Sequence, residues 1–91
     1  MGYYVLIYHV IDDYVLRRVP YREEHLRLAR EAQKRGELLL GGALAKPVDK
    51  ALLVFRVNDP AIIEAFVHSD PYVENGLVRQ WEIRPWTVVI N

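Results

Sequence analysis

Residues 3–10 read YYVLIYHV, from Tyr3 to Val10. The run is rich in β-branched and aromatic side chains, which suit a pleated, half-buried surface, and it is apolar at both odd and even positions. Successive side chains of a strand point to opposite faces, so both faces of this strand need cover. Helices can supply it on one face, and the other requires a second subunit. The same alternation puts Tyr8 and His9 on opposite faces. A satisfied core or interface position is the expected role of this histidine.

Outward from this strand, Ile11 to Val19 carries Asp12-Asp13 and Arg17-Arg18 and reads as a connection with room for a helical turn. Pro20 stands where a helix can begin, because the first turn leaves its N–H groups unused. From Tyr21 to Arg35, the side chains Tyr21, His25, Leu28, Ala29 and Ala32 fall at helical spacing, with Glu23–Arg27 and Glu31–Arg35 as expected i,i+4 pairs. Gly36 fits the left-handed position after the helix. Glu37–Leu44 reads as a strand whose Gly41-Gly42 permits a bulge or a close approach of another backbone. A turn over Lys46–Lys50 then returns the chain into a strand over Ala51–Val57. Asp59-Pro60 opens a second helix with a buried stripe of Ile62, Ile63, Phe66 and Val67, ending near Ser69 because Pro71 disfavours helix at Asp70. Asp70-Pro71 starts a further short turn that Gly76 ends, and Val78–Ile90 forms the last strand, edged or broken by Pro85.

The order βαββαβ predicts an α+β, ferredoxin-like domain over residues 1–91, with a four-stranded antiparallel sheet and both helices on one face. With 91 residues there is room for one thin core, and 52% of the residues are hydrophobic. The uncovered sheet face is expected to form a homodimer, sheet against sheet; assembly beyond the dimer is left open.

Twelve basic residues balance twelve acidic ones without a like-charged block, which argues against nucleic acid as a partner. There is no cysteine, which closes thiolate catalysis and thiolate metal ligation. No stretch approaches the roughly 20 apolar residues of a membrane span, and the strand-like start lacks a basic leader. The expected location is cytoplasmic, without a membrane partner. The three histidines match no metal-ligand spacing, no glycine-rich phosphate loop is present, and Ser69, the single serine, has no nucleophile motif. Neither a metal nor another cofactor is expected.

Three segments carry a family resemblance. Tyr21-Arg22-Glu23-Glu24-His25-Leu26 resembles the R-x-x-H signature of YciI-like proteins. Asp70-Pro71-Tyr72-Val73-Glu74-Asn75-Gly76-Leu77 resembles their D-P-Y-x-x-x-G-L/V signature, and Ile83-Arg84-Pro85-Trp86 is similar to their closing strand. The match is collinear over nearly the whole chain. It implies a dimeric α/β barrel and a site centred on His25 and Asp70. It also implies chemistry of the isomerase or dehydrochlorinase kind on cyclic or aromatic catabolic intermediates. Gly41-Gly42 departs from the Gly-Pro of many relatives, which bears on the local shape of the second strand.

Read for their own chemistry, the same residues keep two meanings. His25 lies three positions after Arg22 on one helix face. An imidazole of ordinary pKa near 6.5 can take up and return a proton, and an arginine fork can hold a carboxylate or enolate; alternatively His25 is a packed helix residue. Asp70 is either a helix cap like Asp59 or the group that orients His25, and one carboxylate can do both. Tyr72 is either a donor to a substrate oxygen or a packing residue. The leading expectation is a small-molecule enzyme: His25 as acid/base, Asp70 orienting it, Arg22 and Tyr72 contacting substrate. The alternatives are a non-catalytic small-ligand module and a purely structural dimer. A dry pocket with Asp70 in reach of His25 favours the first.

Overall fold

A computed structural model describes residues 1–91. The chain runs β1 (Gly2–Val10), α1 (Tyr14–Arg17), a 3-10 turn (Val19–Tyr21), α2 (Arg22–Lys34), β2 (Leu38–Ala43), β3 (Lys50–Val57), α3 (Ala61–Ser69), α4 (Pro71–Glu74) and β4 (Val78–Trp86). The strands form one antiparallel sheet in the order β2-β3-β1-β4. This is the ferredoxin-like α+β architecture, with two single-turn helices added to the βαββαβ series.

Register decides what each face carries. In the two central strands Leu6 pairs with Leu53 and Tyr8 with Ala51, and all four are buried with Phe55, Val57, Ile63, Phe66 and Val67 in the core. Phe66 of α3 meets Phe55 of β3 edge to face at 5.4 Å between ring centroids, an arrangement that aromatic quadrupoles favour. The alternate residues face away from the helices: Val5 pairs with Val54 and Ile7 with Leu52. These four are only half-buried in the single chain, and Tyr3 and Trp86 extend the same face. His9 lies there too, its Nε2 3.8 Å from Glu82, while Tyr8 turns into the core.

Helix ends follow local chemistry. Gly36 has φ 78°, Gly36 N–H donates to the Gln33 carbonyl and Glu37 N–H to that of Ala32, a Schellman closure that satisfies the last carbonyls of α2. Gly76, at φ 75°, closes α4 in the same way through Leu77 N–H and the Tyr72 carbonyl. Asp59 caps α3 by accepting from Ala61 N–H at 2.9 Å.

Four local expectations are corrected. Arg27 pairs with Glu24 and Glu31, not Glu23, and Arg35 reaches Glu37 beyond the helix end; Arg27 sits between two carboxylates on its own face, and Arg35 ends the helix where the chain turns back. Ile62 is exposed, because the buried arc of α3 is narrowed to Ile63, Phe66 and Val67. The last strand stops at Trp86, whose pairing with Tyr3 is the final one between β4 and β1. The irregularity in β2 falls between Leu38 and Leu40, ahead of the glycine pair. Gly41 instead allows close approach: a Cβ there would stand 3.3 Å from Leu53 Cγ. Around the position a Cβ would take on Gly42 nothing lies within 4 Å. Pro85 is tolerated because β4 is an edge strand.

Candidate active site

Three distant segments meet at Asp70. Its side chain is 0% exposed, and it sits in extended conformation at the junction of α3 and α4. Oδ1 accepts from Tyr72 N–H at 3.0 Å, which caps α4, and lies 2.9 Å from His25 Nδ1. Oδ2 accepts from the Tyr8 hydroxyl at 2.8 Å. The cap and the orienting contact therefore share one oxygen. A buried carboxylate is tolerable only when it is hydrogen-bonded or paired, and here three donors reach it.

This arrangement selects the tautomer of a neutral His25 ring. With Asp70 accepting, Nδ1 carries the proton and Nε2 is the nitrogen left free for a ligand. The ring lies flat on Tyr72, centroids 3.8 Å apart and planes 9° from parallel, so its tilt is held as well as its rotation. The side chain is 14% exposed. Tyr14 supports the stack from below, edge-on to Tyr72 at 5.6 Å.

The imidazole forms part of the wall of a cleft of about 250 Å³ between α2 and the β2–β3 hairpin. Arg18, Arg22, Tyr14 and Tyr72 line its end near His25, and Leu26, Ala29, Leu38 and Leu53 are among its apolar residues. Of the four residues picked out in the sequence, His25, Asp70 and Tyr72 are in mutual contact, and Arg22 lines the same cleft. No group of three or more His, Cys, Asp or Glu side chains gathers into a metal-binding arrangement, and no helix is long and apolar enough to cross a membrane.

Sequence reasoning missed Tyr8, Tyr14 and Arg18. Tyr8 had a readable signal: a tyrosine at a helix-facing strand position must find a partner for its hydroxyl when buried. Arg18 had none, since a one-turn helix carries little periodicity.

Three phenols are pushed above the ordinary tyrosine range. Burial is the main cause for Tyr8, followed by the Asp70 carboxylate. Burial again leads for Tyr14, reinforced by Tyr72 and opposed by Arg18. For Tyr72 burial is opposed by Arg22 and Arg18. Above about pH 10 the unfolded chain loses these protons while the folded one keeps them. The folded state then binds more protons, so stability is fully present below about pH 10 and falls as pH rises beyond it. Urea midpoints measured from pH 8 to pH 11 should decline over the upper unit, and less steeply in Tyr8→Phe. A flat profile in the unaltered protein would contradict this assignment.

Several solved structures share the fold. The 5-chloro-2-hydroxyhydroquinone dehydrochlorinase TftG of Burkholderia phenoliruptrix, solved with 2,5-dihydroxybenzoquinone, superposes with a TM-score of 0.77 at 15% identity over 93% of both chains. A protein of Agrobacterium tumefaciens gives 0.64 at 14% identity, covering 98% of this chain and 94% of its own. An antibiotic biosynthesis monooxygenase gives 0.64 at 14% identity, covering 99% of this chain and all (100%) of its own. At these identities the likeness establishes the architecture. No curated protein sequence matches the chain. The YCII-related domain matches residues 1–87, taking in the helix that bears His25, the turn that bears Asp70 and the closing strand, and the chain belongs to that family.

Proposed function

We propose that this protein is a cofactor-independent enzyme of the isomerase or dehydrochlorinase kind, acting on a cyclic or aromatic catabolic intermediate in the cytoplasm, with His25 as general acid/base. The observation that carries the reading is the 2.9 Å contact between His25 Nδ1 and the fully buried Asp70. It holds the imidazole in one tautomer with Nε2 available, the orienting role that a carboxylate plays behind a catalytic histidine. In the reaction Nε2 takes a proton from carbon beside a carbonyl, and the C–H electron pair passes into an enolate whose oxygen faces Arg22 and Tyr72. Isomerisation returns the proton to a different carbon. In elimination from a chlorinated hydroquinone, a hydroxyl proton first moves to the chlorine-bearing ring carbon, giving the keto form; loss of a second hydroxyl proton then drives a new C=C bond, and chloride leaves that carbon with the C–Cl pair. The dehydrochlorinase named above supports the second course by architecture.

The same proposal makes the protein a homodimer through the half-buried sheet face, supported by the apolar residues Val5, Ile7, Leu52 and Val54 gathered there.

His25→Asn is the test, because the asparagine amide can replace Nδ1–H toward Asp70 while supplying no base. With 5-chloro-2-hydroxyhydroquinone or an unsaturated lactone as substrate, turnover is expected to fall about 10²–10⁴-fold, with substrate binding nearly unchanged. Undiminished turnover of a substrate that the unaltered protein converts would overturn the assignment. Binding without turnover in the unaltered protein would favour the ligand-binding module.

A further inference from the structure

The cleft beside His25 is unbalanced in charge. Three arginines line it, Arg18, Arg22 and Arg30, and no aspartate or glutamate does, although the charges of the whole chain cancel. None of the three guanidinium groups has a carboxylate within 4 Å: every ion pair in the molecule is formed by His9, His25, Arg27, Arg35 or Arg79. The carboxylate behind His25 is fully buried and engaged by three donors, and it is not part of the cleft lining.

Beside these cations lies a second irregularity. The Tyr72 hydroxyl is buried and has no hydrogen-bond partner. A buried polar group left in that state costs about 1–3 kcal/mol, and native proteins rarely leave one without a purpose. Arg22 and Arg18 are the cations nearest in effect to this phenol, and the Arg18 guanidinium also lies 5.2 Å from the Tyr14 ring centre. A phenol donor without a partner and two arginines without a carboxylate partner thus share one end of the cleft, adjoining the imidazole. The opposite character prevails along the wall, where Leu26, Ala29, Leu38 and Leu53 are apolar. The volume, about 250 Å³, lies below the roughly 300–1,000 Å³ of sites for drug-sized ligands and suits a single ring.

We infer that Arg18, Arg22 and the Tyr72 hydroxyl form an anion subsite, and that the molecule it receives is a small organic acid whose ionised group enters this subsite while its apolar ring lies along the cleft. The inference rests on the reading of this cleft as the substrate site and narrows its substrate class. Arginine forks match a planar carboxylate or a delocalised enolate. An acid group held at this end sets the ring beside His25, so the subsite positions the substrate and shields the charge that develops on deprotonation.

Benzoate and benzamide separate charge from shape, since they share a ring and differ in the ionised group. Titrated into the isotopically labelled full-length protein and followed by NMR, benzoate should shift the amides of Tyr72, Ala29 and Leu53 saturably, and bind at least about tenfold more tightly than benzamide. Arg18→Gln and Arg22→Gln should each weaken benzoate roughly tenfold or more and change benzamide little. Equal binding of the two probes, or no saturable shift with benzoate, overturns the inference without recourse to any variant. His25→Asn keeps the two readings apart. If it retains turnover while benzoate stays preferred, the acid/base role fails and the anion subsite stands. If it abolishes turnover while the probes bind alike, the subsite fails and the chemistry stands.

Discussion

Asp70→Ala should be the most damaging single substitution in the molecule, lowering stability by about 3–5 kcal/mol, as expected when one member of a buried charged cluster is removed. The exchange orphans the Tyr8 hydroxyl, the Tyr72 N–H and His25 Nδ1 together. It also removes the cap of α4, whose loss alone costs about 1 kcal/mol. With a urea dependence of roughly 1–3 kcal/mol per molar for small proteins, the midpoint should fall by about 1 M or more. Asp70→Asn divides the structural role from the chemical one. Its amide oxygen, in the place of Oδ1, still accepts from both Tyr72 N–H and His25 Nδ1–H, while its NH₂ group meets the Tyr8 hydroxyl, which can rotate to accept. The imidazole keeps its tautomer but loses the negative charge that stabilises its protonated form in the proposed reaction. The asparagine variant should therefore fold with a loss near 1–2 kcal/mol and lose turnover at least about tenfold. An alanine variant within 0.5 M urea of the unaltered protein would reduce Asp70 to a cap and remove the site described around it.

The second large effect concerns the sheet face away from the helices. Val5 opposes Val54 and Ile7 opposes Leu52 across the two central strands, forming an apolar patch with solvent-accessible neighbours in Leu40 and Trp86. In a two-fold dimer each substitution at this patch appears twice. Placing a lysine at position 54 buries two unpaired ammonium groups, each costing several kcal/mol, so Val54→Lys should raise the dimer dissociation constant at least about 10³-fold. Sedimentation of the unaltered protein should give the mass of two chains at micromolar concentration, and of Val54→Lys the mass of one. The melting temperature of the first should rise with protein concentration and that of the second should not. A monomeric unaltered protein at those concentrations would end the dimer proposal. It would leave the His25–Asp70 contact intact, because every atom of that contact belongs to one chain.

The two effects are linked through β1. Its even-numbered residues Leu6 and Tyr8 build the core and reach Asp70, while its odd-numbered residues Val5 and Ile7 form the open face. One strand thus carries both the donor that braces the candidate site and the surface proposed for pairing. A change of register by one residue would exchange these roles and destroy both.

What the chain determined unaided is whatever acts over a few residues. The β-branched and aromatic run Tyr3–Val10, helical spacing after Pro20, the caps at Asp59 and Asp70, and the glycines 36 and 76 that end helical turns each express a local steric or hydrogen-bonding preference. Together with two short signatures they were enough for the architecture and for His25, Asp70, Arg22 and Tyr72 as candidates. Tertiary packing alone decided that Tyr8, 62 positions from Asp70, would be its third donor, and that Arg18 and Tyr14 would join the cleft. It also decided that Ile62 would face solvent. Periodicity and capping report the conformation of a segment, whereas the partner of a side chain depends on the distances and orientations between segments, which exist only once the sheet and helices have packed.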